Sequence, residues 1–178
     1  AVTGTGNRLA VATSTQAIGA VNAANAGITF VAPSGLSDGD TVVTATTANL
    51  DYAVIDIDIS NGVALTQGQS FTLVSATSSL SATGISTTID QGRPSFSLNV
   101  NGNALDAMFS GFLTFEQATV SAFTGSSWYN VNLVSGAAHL DWLDGQSVDA
   151  ALWTKIENCF DNNLALGGAQ AAFGLQQM

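Results

Sequence analysis

The side chains equipped for chemistry are few, and two of them occur once. His139 is the only histidine and Cys159 the only cysteine in the 178 residues. A serine or cysteine nucleophile activated by imidazole would have to use His139. Zinc takes about four ligands rich in His and Cys, which one of each does not supply. The phosphate loop Gly-x-x-x-x-Gly-Lys and the signature His-Glu-x-x-His are both absent. His139, close to Trp142, reads as a structural hydrogen-bonding residue. Cys159, next to Phe160, reads as a buried thiol on an apolar face. A lone cysteine leaves no intrachain disulfide.

Oxygen ligands are more plentiful, with 13 Asp and Glu residues. Calcium takes about six to eight oxygens from carboxylates, amides and backbone. Three loops gather such groups: Asp38 with Asp40, Asn101 and Asn103 with Asp106, and Asp141 with Asp144. These are the candidate calcium ligands, and calcium is expected to stabilise the fold or an assembly. None follows the spacing of the EF-hand loop. A glycosidase needs two opposed carboxylates. Glu116, Glu157 and the aspartates offer many pairs and no distinguishing one. Trp128, Tyr129 and Trp142 are flat aromatics suited to a sugar ring, whereas Trp153 is assigned to packing. An internal Lys–Asn bond would need an acid beside Lys155, and Glu157 at i+2 does not face it on a helix.

The basic residues are Arg8, Arg93 and Lys155, and the formal net charge is −10. Binding to nucleic acid requires a cluster of bases to displace counterions from phosphates, so nucleic acid is excluded as a partner. Anionic membrane surfaces are disfavoured for the same reason. Apolar residues make up 46% of the chain and charged ones only 9%, so hydroxyls and amides must carry much of the solubility. No apolar run approaches the ~20 residues of a membrane-spanning helix. The chain starts at Ala1 with no leader-like segment, as a mature secreted protein would.

The elements that would position these residues follow a period of two. In 51–59, Ile55, Ile57 and Ile59 alternate with Asp56 and Asp58, which predicts a strand with one wet face. Similar alternation marks 70–76, 94–101, 111–124 and 127–134, with further candidates at 8–13, 27–32, 41–47 and 85–90. Turn signals punctuate them, among them Asp38-Gly-Asp40, Gln67-Gly68 and Asn101-Gly102. Between 147 and 160 the spacing changes: Val148, Leu152, Ile156 and Cys159 recur every three or four residues, predicting one short helix capped by Ser147. The fold class expected is all-β, a sandwich or jelly roll of short antiparallel strands plus that helix. There is no repeat of fixed period, although the recurrence of Gly, polar and apolar residues leaves a β-solenoid conceivable. The expected organisation is an N-terminal arm or first strand over 1–26, a β domain over 27–163, and a C-terminal tail or last strand over 164–178.

Residues 61–76, Asn-Gly-Val-Ala-Leu-Thr-Gln-Gly-Gln-Ser-Phe-Thr-Leu-Val-Ser-Ala, resemble the strand-turn-strand units of secreted bacterial surface proteins such as autotransporter passengers. The texture of the whole chain also resembles prokaryotic surface-filament subunits that donate an N-terminal strand. That resemblance implies a secreted or cell-surface structural subunit of a filament, sheath, surface layer or adhesin. It further implies a homopolymer in which the arm, anchored by Leu9 and Val11, inserts into a neighbour. The alternatives are a secreted module binding glycans or surfaces, and a hydrolase with a carboxylate pair.

Overall fold

The computed structural model describes residues 7–10, 16–59, 65–87 and 93–178. The chain divides into two compact units, one of residues 1–88 and 96–111, the other of residues 89–95 and 112–178.

The first unit is a coil of parallel strands. β1 (Asn7–Ala10), β3 (Gly27–Val31), β5 (Val54–Asp58) and β7 (Ser86–Thr87) form one sheet in that order. β2 (Gln16–Asn22), β4 (Thr41–Asn49) and β6 (Ser70–Ser81) lie side by side in a second. Each connection carries the chain to the other sheet, so sheet neighbours are two strands apart in sequence and run parallel. The β6 edge is then covered antiparallel by β9 (Ala104–Phe112), itself paired with β8 (Pro94–Asn101). Gly102 sits in the turn of this last hairpin at φ 59°, a conformation open to glycine at little cost, as Asn101-Gly102 predicts.

Like side chains stack from coil to coil. Val21 aligns with Ala48 and then Leu80, Val43 with Val74, Ala45 with Ala76, and Ile28 with Ile55. These belong to one apolar cluster drawing on both sheets, centred on fully buried Phe30, Leu50, Ile55 and Leu73. Phe96 closes it with rings 6.0 Å from Phe71 and 5.5 Å from Phe109. Asp56 and Asp58, expected on a wet face, are buried instead. Period two separates two faces of a strand without saying that the second one meets water.

The corner between the sheets is a column of stacked turns. Asn25 and Tyr52 both adopt φ 55°, and Gly84 in the next coil adopts φ 65°. The ladder runs on through the corner: the amides of Ala23 and Asn25 donate to the carbonyls of Asn49 and Asp51, and those of Leu50 and Tyr52 to Ser81 and Thr83. Asn22 and Asn49 occupy equivalent positions, and each side-chain oxygen accepts from the amide two residues on. The Tyr52 ring lies over Gly84 so closely that a Cβ there would stand 2.7 Å from it.

Asp51 fastens the third turn to the second. Its carboxylate accepts from the Thr83 amide at 2.7 Å and the Ser81 hydroxyl at 2.8 Å. The Thr83 bond, followed by Ser81, holds its pKa below the usual aspartate value against the smaller effect of desolvation. A depressed carboxylate adds stability that is present above its unfolded pKa and lost as pH falls through the folded one. Asp51→Ala is therefore expected to lower the melting temperature at neutral pH, with the deficit shrinking as pH falls below the ordinary aspartate value of 3.8. Thermal melts of both proteins across that range check it.

The second unit is helical: α1 (Phe115–Phe123), α2 (Val131–Asp144), α3 (Ala150–Ala165) and α4 (Gly168–Gln176). The all-β sandwich or jelly roll with one helix is thus corrected to a mixed α/β architecture with four helices, parallel pairing in both sheets and one antiparallel addition. The strand expected over 111–124 is β9's end followed by α1. Thr114 begins that helix with a capping box, its hydroxyl accepting from the Gln117 amide while the Gln117 side chain accepts from the Thr114 amide. The strand expected over 127–134 is a turn leading into α2, capped by the Asn130 side chain. The helix expected over 147–160 starts later and is capped by Asp149 rather than Ser147. The expected C-terminal tail is the end of α3 and α4.

Candidate functional site

Most of the proposed calcium ligands are occupied in holding backbone. Asp38 accepts from the Ser70 amide at 2.8 Å and Asp40 from the Ser37 amide at 2.7 Å, which fixes the turn before β4. Asp106 accepts from the Thr72 hydroxyl at 2.7 Å, and the Asn103 side chain donates to the Ser78 carbonyl. Asn101 ends β8 on the exposed side of the hairpin. Asp141 receives the Phe115 and Glu116 amides on its two oxygens, at 2.7 and 2.9 Å. A carboxylate at a helix N-terminus meets free amides and the positive end of the dipole together. Asp144 is exposed at the end of α2. Among the described residues, no three of His, Cys, Asp and Glu group as metal ligands.

The aromatics proposed for sugar binding are all exposed but not gathered on one surface patch. Trp128 and Tyr129 precede α2, and Trp142 lies near its far end. Twelve residues of helical rise between Asn130 and Trp142 amount to roughly 18 Å. Trp153 packs into the core as expected, 5.6 Å from the Phe115 ring. Of the assembly anchors, Leu9 aligns with Phe30 in the β1–β3 pair, and Val11 falls outside the described residues. Cys159 is exposed rather than buried, because the face of α3 that packs inward is set by Phe160 and Leu164.

The strongest electrostatic construction in the helical unit is one that composition and motif reading passed over. Arg93 is buried, its guanidinium 4.0 Å from the centre of the Phe115 ring. Its Nη2 donates to Glu157 at 2.7 Å and its Nε to Asp161 at 3.3 Å. Glu157 and Asp161 stand four apart on α3 and so present to one side. The Arg93 carbonyl also accepts from the Leu113 amide. Burial raises the Asp161 pKa, and the positive charge of Arg93 opposes that rise. The sequence signal was available in part: one of only three bases, and two acids four apart, Glu157 on the predicted helix and Asp161 just past its predicted end.

A second feature of the helical unit is a cavity of about 330 Å³. Its floor is apolar, from Leu133, Ala137 and Phe160, and its rim carries Asn132, His139 and Gln176. His139 stacks on Trp142 with ring centres 5.3 Å apart and planes at 22°. The imidazole is thus a rim group supported by an indole.

The coil offers a different kind of site, its open end. Among the described residues β1 and β2 have a strand neighbour on one side only, whereas β9 and β8 extend the sheet past β6. On their outer edges β1 and β2 have no strand partner among the described residues, and an edge of that kind can pair with a further strand. Comparison with protein-family models, with curated proteins and with solved structures finds no match.

Proposed function

We propose that the chain is a structural element of an extracellular or cell-surface assembly, in which the parallel coil is a rigid body that associates with a second copy through its open end. The observation carrying this reading is that, among the described residues, β1 and β2 pair on one side only, at the end of a sheet ladder that continues through its corner turns. A parallel ladder with a free edge accepts a further strand with main-chain hydrogen bonds and without a dedicated pocket. Charge is scarce along these strands, Arg8 being the one charged residue of β1 and β2, and edge-to-edge association is ordinarily opposed by Lys and other charged gatekeepers. Because Asn7–Ala10 pairs within its own sheet, association through the edge requires no withdrawal of the arm.

Light scattering across a range of concentrations, together with electron microscopy, tests the reading. Wild type is expected to associate. Gly19→Lys is expected to stay folded and monomeric, because Gly19 is exposed on β2 and a Cβ added there meets nothing within 4 Å. A wild-type protein that is monomeric throughout, or a Gly19→Lys variant that assembles equally well, overturns it.

A further inference from the structure

We infer that the helical unit binds a small, uncharged, largely apolar molecule carrying one hydrogen-bonding group, in the cavity between α2 and the end of α4. The volume, about 330 Å³, lies at the lower end of the range for ligand sites, about 300–1,000 Å³. The floor is supplied by three buried side chains on two helices, Leu133 and Ala137 on α2 and Phe160 on α3. Those three surfaces would gain contacts and lose water on filling. Specificity comes from the rim. Asn132 and Gln176 present side-chain amides, each both donor and acceptor, and His139 presents an imidazole held against Trp142.

The class of ligand follows from which charges are missing at the lining. No Asp, Glu, Lys or Arg side chain lines the cavity. An ionised ligand would surrender hydration there without a counter-charge, at a cost that amide dipoles do not offset. An uncharged molecule with an alkyl or aromatic body and a single hydroxyl, amide or amine meets an apolar floor and a hydrogen-bonding rim. The ligand is small, because the space holds one such body and not a peptide helix.

Gly136 provides the test. It lies on α2 at the cavity, its backbone is helical, and a Cβ built on it meets nothing within 4 Å. Gly136→Leu therefore starts a bulky side chain at the cavity lining from an unhindered Cβ, and a better helix former replaces glycine. The probe is N-phenylnaphthylamine, a neutral apolar fluorophore with one N–H, titrated against the full chain. Wild type is expected to bind it saturably, with 1-octanol displacing it and octanoate doing so at least tenfold less effectively. Gly136→Leu is expected to weaken binding at least tenfold while keeping the wild-type circular dichroism and an equal or higher melting temperature. Phe173→Ser, which removes a highly exposed ring that does not line the cavity, is expected to bind as wild type does. The inference fails if enhancement is unsaturable, if Gly136→Leu binds unchanged, if Phe173→Ser abolishes binding, or if octanoate competes as well as octanol.

Discussion

Arg93→Met is expected to destabilise the helical unit by about 2–3 kcal/mol. Removing one partner of a buried pair usually costs about 3–5 kcal/mol, because the other charge is left without compensation. The side chains of Glu157 and Asp161 retain 33% and 27% exposure, so water screens part of that loss. Methionine keeps the apolar stem over Phe115 but has no donor for either carboxylate. Arg93→Lys should fall between the two, since an ammonium keeps the charge without the fork that serves two acceptors. All three tryptophans, Trp128, Trp142 and Trp153, lie in the helical unit, so tryptophan fluorescence during denaturant unfolding reads the effect. The pH dependence has a definite sign. Burial already raises the folded pKa of Asp161, and loss of Arg93 removes what opposes it. A group with a raised folded pKa binds more protons when folded, so stability falls as pH rises through the window above about 3.8. The deficit of Arg93→Met should accordingly be larger at neutral pH than near pH 4. Neutralising Glu157 and Asp161 in the same variant should recover much of it. A single Arg93→Met loss below about 0.5 kcal/mol would mean that the pair contributes no more than an exposed one.

Much of the coil was visible as strands but not as a coil. Residues 27–31, 41–49, 54–58 and 70–81 all carry the alternation that predicts extended structure. Alternation is a property of one strand, and it is the same for parallel and antiparallel neighbours. What distinguishes a coil is repetition between strands, and here the repeat lengthens as it goes. Ala45 aligns with Ile18 and Ala76, offsets of 27 and 31 residues, and Ala48 aligns with Val21 and Leu80, offsets of 27 and 32. The bulge between Ala45 and Thr47 accounts for the last extra residue. A search for a fixed period therefore finds none. The signature that survives is the corner, Asn22 to Ala26, Asn49 to Ala53 and Ser81 to Ile85, where a left-handed residue recurs at the fourth position. It is obscured because Asn25, Tyr52 and Gly84 are chemically unlike.

The helices were misread for a related reason. Phe112, Leu113 and Phe115 alternate over too few residues to tell a strand from the entry to a helix, whereas Thr114-x-x-Gln117 carried the decisive cap. In α2 the apolar residues are spread around the axis, so the period of 3.6 is weak where the helix is long. The proposed metal ligands were legible as oxygen-rich turns, and what the spacing did not reveal was that backbone amides take up the carboxylates of Asp38, Asp40 and Asp141. The ion pair on Arg93 required a contact across 64 residues of sequence, which local pattern does not encode.

Phe30→Ala is expected to cost the coil about 3–5 kcal/mol, the range for truncating a buried aromatic. Phe30 is fully buried in β3, the strand with β1 on one side and β5 on the other. Its register partner Ile57 is also buried, and β3 lies between β1 and β5, so the truncation opens a gap within the sheet rather than at its edge. A gap in the middle is hard to collapse, because the strands beside it are held at fixed spacing by main-chain hydrogen bonds and cannot move in to fill it. Ile57→Val, which removes one methylene in the same row, should cost only about 0.5–1.5 kcal/mol. The contrast between the two separates cavity formation from a general intolerance of substitution. Because the tryptophans lie in the other unit, circular dichroism in the strand region follows the coil. A Phe30→Ala loss no greater than that of Ile57→Val would show that the row can close over the missing ring, and the coil would then be softer than its stacked turns imply.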